Sequence, residues 1–192
     1  MPMNAFHRRF CASPDWARFV ADRLLPWGLD GVDLGDDVLE IGPGFGVTTR
    51  LLAKQVPRLT ALEVDSEFAE RLRATTDAGV EVISGDGAAM PFPDNRFSAV
   101  VCFTMLHHVP SRALQDRLFA QARRVLRPGG VFAGTDSQPS WRFRLIHLFD
   151  TMVVVDPETL PQRLRAAGLS DVRVDVDRAV RFRAVKPLME ES

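Results

Sequence analysis

Short apolar runs alternate with stretches of helical periodicity along most of the chain, the pattern of a parallel sheet wrapped by helices. The runs are Val38-Leu39-Glu40-Ile41, Leu59-Thr60-Ala61-Leu62, Val80-Glu81-Val82-Ile83, Ala99-Val100-Val101-Cys102-Phe103 and Val131-Phe132-Ala133-Gly134. Two more strand-like stretches follow, Val172 to Val176 and Ala179 to Val185. Only Asp177-Arg178 joins them, too short for a crossover helix, so this pair is predicted to be antiparallel. Ser13-Pro14 places a cap residue before a proline, and Trp16, Phe19, Val20 and Leu24 then fall on one helical stripe. Ser111 is predicted to cap a helix carrying the stripe Leu114, Leu118, Ala122 and Val125, which Arg127-Pro128-Gly129-Gly130 ends. Thr159-Leu160-Pro161-Gln162 reads as the capping box of a helix that stops at Gly168. The expectation is a lead-in helix, five βα-type units, then a helix and an antiparallel hairpin: a doubly wound α/β fold in one domain.

Composition narrows the function classes. At 192 residues, 46% hydrophobic and 26% charged, the chain has the profile of one globular domain with a substantial core. A formal net charge of −1 supplies no global field for nucleic acid or an anionic membrane, so neither is an expected partner. No stretch approaches the roughly 18 apolar residues of a membrane span, and the first nine residues lack the apolar run of a signal peptide. Cys11 and Cys102 stand in different motifs without metal-like spacing. They read as free thiols of a reducing compartment, so no metal and a cytoplasmic location are expected. The chain has no tyrosine, which removes one type of general base.

The candidate chemistry lies beyond the carboxyl ends of the strands, where open α/β sheets bind ligands. The first strand runs into Glu40-Ile41-Gly42-Pro43-Gly44-Phe45-Gly46-Val47. Glycines at alternate positions allow a tight turn and the approach of a ligand to bare backbone. A dinucleotide fingerprint, G-x-G-x-x-G, would need glycine where Val47 stands; here the third glycine, Gly46, comes one residue early. Glu40 would repel a pyrophosphate but favour a cation such as the ammonium and sulfonium of S-adenosylmethionine (SAM), directly or through water. The second strand ends in Leu62-Glu63-Val64-Asp65, near the spacing at which an acid grips a ribose diol. Glu63 is the choice for that role, with Val64 against the adenine face. Asp65 is assigned to capping the next helix, with Ser66 as the rival cap. After the third strand, in Ser84-Gly85-Asp86-Gly87-Ala88, Asp86 suits the exocyclic amine of adenine; a turn aspartate that satisfies only its own backbone is the alternative.

Together these residues resemble the class I, Rossmann-like SAM-dependent methyltransferases, in the type 11 branch. The resemblance covers roughly residues 36 to 136. It rests on Val38 to Gly46, Glu63-Val64-Asp65, Gly85-Asp86-Gly87-Ala88, Met90 to Phe97, Leu106-His107-His108-Val109 and Arg124 to Gly130, in that order and spacing. It implies a seven-stranded sheet with only the last strand antiparallel, and SAM as the cofactor. The implied cofactor-binding set is Glu40, Gly42, Gly44 and Gly46, then Glu63 and Val64, then Asp86, Gly87 and Phe103. Two departures stand out. Ser98 follows Phe97 where the branch often has aspartate, and the second strand ends in glutamate rather than aspartate. In that detail the chain is similar to the ribosomal RNA adenine dimethylases, but Cys102-Phe103-Thr104-Met105 replaces the Asn-x-Pro-Phe/Tyr element those enzymes need.

Methyl transfer from an activated sulfonium is mainly a matter of alignment and water exclusion, so a general base is optional. The candidates are His107 and His108, of which His107 is chosen; shaping the turn is the other reading. Acceptor choice is expected outside the matched core. Residues 1–30 form a predicted amino-terminal lid, in which Phe6 and Phe10 precede the helix start and have no partner in its stripe. Residues 137–192 form a substrate-side segment and the hairpin; Ser137 to Phe149 either receives the acceptor or packs as an amphipathic helix. The expected activity is methyl transfer to a small molecule. The alternatives are a methyltransferase acting on RNA or protein, and a non-catalytic SAM- or nucleotide-binding module.

Overall fold

A computed structural model describes residues 4–138 and 152–188, with Ala5 and Phe6 as backbone only. Seven strands form one sheet: β1 Asp37–Ile41, β2 Arg58–Glu63, β3 Val80–Ser84, β4 Phe97–Phe103, β5 Leu126–Ser137, β6 Ser170–Val176 and β7 Ala179–Val185. Their order is β3-β2-β1-β4-β5-β7-β6. Strands β1 to β5 are parallel, while β7 runs against both β5 and β6. Strand order therefore reverses between β1 and β4, which opens the switch-point crevice beyond their carboxyl ends.

Period-two alternation assigns each strand residue to one of two cores. Leu39, Ile41, Val100, Cys102 and Phe132 face one side, under α6 (Arg112–Val125) and α7 (Leu160–Ala166). Val38, Ala99, Val101 and Phe103 face the other, packed on Val20, Leu24 and Leu52. All five residues of β1 are buried, as a central parallel strand covered on both faces requires. The remaining helices are α1 Ala5–Cys11, α2 Pro14–Phe19, α3 Leu25–Gly28, α4 Val47–Leu52 and α5 Ser66–Thr75, with a π-helical turn, Val20–Leu24, linking α2 to α3. None of the described helices is long and apolar enough to cross a membrane.

Two expected caps form: Ser13 accepts from the Trp16 amide at 3.1 Å and Ser111 from the Leu114 amide at 3.2 Å. Four expectations need correction. The lead-in is two helices rather than one, because Asn4 caps α1 by accepting from the His7 amide at 2.8 Å. No helix crosses from β3 to β4. Buried Met90 and Phe92 anchor that crossover instead, and Arg124 clamps their carbonyl oxygens at 2.9 and 2.7 Å. The helix before β5 stops at Val125, and Arg127-Pro128-Gly129-Gly130 lies inside the strand, where Gly129 and Gly130 pair with Lys186. Finally, the capping box at Thr159 does not form. Its hydroxyl turns back to Asp156 Oδ2 at 3.0 Å, while the Asp156 carbonyl accepts from the Leu160 amide and begins the turn earlier.

Candidate functional site

The loop after β1 holds Gly42, Gly44 and Gly46 at φ of +67°, +54° and +71°, a region that disfavours side chains. Their roles then diverge. A Cβ on Gly46 would stand 2.3 Å from Leu72 Cδ1, so the third glycine lets α4 dock on α5, and it does not line the cavity. Around Gly44 there is nothing within 4 Å of such a Cβ. That open backbone faces a cavity of about 410 Å³, bounded by the loop, by Glu63 and Val64, by Phe103 and by His107. His7, Phe10, Trp16 and Phe19 of the lead-in helices form its roof.

Glu63 is 5% exposed and ties the wall to the loop. Its Oε2 accepts from the Gly44 amide at 2.9 Å and its Oε1 from the Asp65 amide at 3.0 Å. A carboxylate offers about four acceptor positions, so capacity for a diol remains. Asp65, not Ser66, caps α5, with Oδ1 accepting from the Glu67 and Phe68 amides at 3.0 and 3.3 Å. A second cavity, about 150 Å³, adjoins the first through Gly42, Val64 and Met105. Asp86 and Gly87 line it. Asp86 Oδ1 accepts from the Ala88 amide at 2.8 Å, the self-satisfied turn, which leaves Oδ2 unused in that contact. Gly87 is buried, and a Cβ there would come to 3.0 Å from both Ile41 and Leu118.

Glu40 is placed differently from the rest of the set. It is 1% exposed and lines neither cavity; Thr48, which does line the larger one, stands between and donates to Oε1. The second oxygen, Oε2, has no hydrogen-bond partner among the described residues. Burial pushes its pKa up to about 7, against the hydrogen bond from Thr48 and with help from the charge of Glu63.

Opposite the glycine loop lies the second polar cluster. His107 is 2% exposed at the cavity wall, and its Nδ1 stands 2.5 Å from Oδ1 of Asp136, itself 0% exposed. The other oxygen of Asp136 accepts the His107 amide at 3.1 Å. The rings of His107 and His108 lie 4.1 Å apart, and His7 stacks on His108 at 5.1 Å. Sequence reasoning missed Asp136, although an acid at a strand's carboxyl end was the signal used for β2. It also missed Thr104, a β-branched residue held at φ +50° on the cavity wall, its amide donating to the Thr135 carbonyl at 2.8 Å. Phe10, expected without a partner, packs on Trp16 at 5.3 Å between centroids, a correction to that reading. The side chain of Phe6 and most of the segment 137–149 lie outside the described residues, though Ser137 and Gln138 line the cavity.

Known proteins resemble this chain in sequence and in fold. The chain is 36% identical over 110 residues to a fatty-acid O-methyltransferase of Mycolicibacterium smegmatis, covering 56% of this chain and 39% of that one. It is 44% identical over 70 residues to an rRNA methyltransferase of Streptomyces thermotolerans, covering 35% and 23%. The chain thus spans less than half the length of either. Among solved structures, phosphoethanolamine N-methyltransferase 2 of Haemonchus contortus in complex with SAM has a TM-score of 0.72 at 18% identity, covering 95% of this chain and 56% of that one. Residues 39–134, half of the chain, match the model of a methyltransferase domain, the type 11 family, and the chain belongs to that family.

Proposed function

We propose that the protein is a SAM-dependent methyltransferase acting on a small-molecule acceptor, with the active cavity between the glycine loop and the lead-in helices. The observation that carries this reading is Gly44: an open, left-handed glycine on the same cavity as a buried ribose-type carboxylate and a buried histidine. The residues present fit SAM. Gly42 and Gly44 offer bare backbone, Glu63 has acceptor capacity for the ribose hydroxyls, and Val64 with Asp86 and Gly87 reaches into the adjoining cavity for the adenine. Glu40 would act on the cationic end through Thr48, and Phe103 would close the floor. When bound, SAM supplies a methyl carbon already activated by its sulfonium.

What the chain adds is geometry. Fixing the acceptor atom in line with the methyl carbon is worth about 7–11 kcal/mol in favourable cases. The aromatic roof of Phe10, Trp16 and Phe19 would exclude water and acts, in this reading, as the amino-terminal lid. A roofed, largely apolar cavity suits a small acceptor better than a nucleic-acid strand. A net charge of −1 points the same way. The second reading, an RNA acceptor, draws on the relative named an rRNA methyltransferase. A cytoplasmic location accompanies the small-molecule reading. Calorimetric titration with SAM and separately with NADH tests the cofactor: SAM binds without added metal and NADH does not. NADH binding with equal or better affinity would sink the proposal, and methylation of RNA but of no small acceptor would replace its substrate.

A further inference from the structure

We infer that Arg178 selects the acceptor, which is an apolar monocarboxylic acid held by its carboxylate; this rests on the methyl-transfer reading above. Arg178 stands in the turn of the β6–β7 hairpin and lines the larger cavity. Two contacts hold the turn there. Ser137, the last residue of β5, pairs with Ala179, and Gln138 Nε2 donates to the Asp177 carbonyl at 2.5 Å. The arginines of β7 are engaged elsewhere: Arg181 with Asp175 and the Trp27 carbonyl, both at 2.8 Å, and Arg183 with the Gly31 carbonyl at 3.0 Å. Arg178 makes no hydrogen bond or ion pair with any described residue. It is also the only arginine or lysine among the described residues of the cavity wall. The carboxylates on that wall, Glu63 and Asp65, lie at the β2 end, and Asp177, beside Arg178 in the chain, does not line the cavity.

Position separates this guanidinium from the donor's ribose. Glu63 and Ala179 belong to strands four places apart in the order β2-β1-β4-β5-β7, roughly 19 Å at about 4.8 Å per place. A donor whose ribose rests on Glu63 therefore leaves the β7 side of the cavity to the acceptor. Phe10, Trp16, Phe19 and Phe103 supply apolar surface on the same cavity. A molecule that fits shows an apolar body to those rings and a negative charge to Arg178. The planar fork of arginine matches one carboxylate through two parallel N–H···O bonds. A nucleic-acid strand would call for a row of cations instead. A cationic acceptor would meet both the guanidinium and the sulfonium of the donor, and is disfavoured. Arg178 is exposed, so water screens the contact and limits its selectivity to about tenfold.

Three ligands with one apolar body test this: 3-phenylpropanoate, 3-phenylpropan-1-ol and 3-phenylpropylamine. Each is titrated calorimetrically at neutral pH into protein saturated with S-adenosylhomocysteine, the demethylated donor. The acid should bind roughly tenfold more tightly than the alcohol, and the amine most weakly. Added salt should narrow that gap. Arg178→Gln should bring the acid down to the alcohol while leaving the alcohol and S-adenosylhomocysteine unchanged. Arg178→Lys should restore part of the preference, since an ammonium keeps the charge and loses the fork. A merely structural role would weaken acid and alcohol together and leave their ratio unmoved. An equal loss for the two, no preference in wild type, or no binding of any of the three would overturn the inference. Weaker S-adenosylhomocysteine binding by Arg178→Gln would overturn it too, because the arginine would then hold the donor's own carboxylate. Wild type that binds neither SAM nor S-adenosylhomocysteine fails the methyl-transfer reading itself.

Discussion

Replacing Glu40 by glutamine should make the protein more stable at pH 8 and leave it nearly unchanged at pH 4. The carboxyl is buried with Oε2 unpartnered, and its pKa is pushed up from 4.5 to about 7. The folded state therefore holds this proton where the unfolded chain releases it. Stability is fullest below pH 4.5 and declines as pH rises toward 7, because the folded protein must ionise a carboxylate in an apolar strand. At about 1.36 kcal/mol per unit, the cost above pH 7 is about 3 kcal/mol. Glutamine keeps the shape and the acceptor for Thr48 but has nothing to ionise. Urea unfolding followed by tryptophan fluorescence at several pH values would measure it. The difference between variant and wild type should grow by about 3 kcal/mol across the window, or roughly 6–12 °C in midpoint for a chain of this size. Groups that titrate in both proteins cancel in that difference. Parallel stability curves would refute the reasoning, since they would mean that Glu40 ionises as easily when folded as when unfolded.

The other expectations concern the cavity. Glu63→Gln should weaken SAM binding by about 1–3 kcal/mol in calorimetry with the fold intact; an unchanged affinity would remove the ribose role or move it to Asp65. Gly46→Ala should lower stability by about 2 kcal/mol or more through both strain and the clash with Leu72. Gly44→Ala should cost only the strain, about 1–2 kcal/mol, yet weaken SAM binding; urea unfolding and titration of both variants check the contrast. Deleting residues 1–12 removes no strand, so the core should fold and SAM affinity should fall less than turnover. Normal methyl transfer by the truncated chain would show that the segment is no lid.

The sheet was legible because a buried parallel strand is a local signal: four or five apolar residues between breakers, whatever the partner. Glu63 was legible for the same reason, as the acid at the last position of such a run. Glu40 stands back from the cavity because it sits one residue inside β1, paired with Ala61 on one side and Val101 on the other. Distance from the glycines suggested a ligand contact; flanking on both sides buries it. Asp136 was hidden for the opposite reason. The apolar run seemed to end at Gly134, but β5 continues through Thr135-Asp136-Ser137, because β7 pairs with it along that whole stretch. The acid at the strand end was there to be read, but the distant hairpin and the histidine 29 residues away that extend and hold that end were not. The missing helix between β3 and β4 is similar, since Arg124, far along the chain, fixes that crossover.

The topology places two polar clusters on opposite sides of one switch point. Strands β1 and β2 carry the glycine loop and Glu63, while β4 and β5 bring His107 to Asp136. Their polar groups belong to different hydrogen-bond networks: Glu63 is held by loop amides, and Asp136 by His107 and Ser137. Sites that share no partner add their effects to within about 0.5 kcal/mol. The double variant Glu63→Gln, His107→Gln should therefore lose SAM affinity to the extent of the first change alone. Its turnover should fall to the extent of the second. Calorimetry and steady-state kinetics on the four proteins of the cycle would measure both. A coupling well above that margin in SAM affinity would mean that the histidine helps to hold the donor, and the independence of the two clusters would fail.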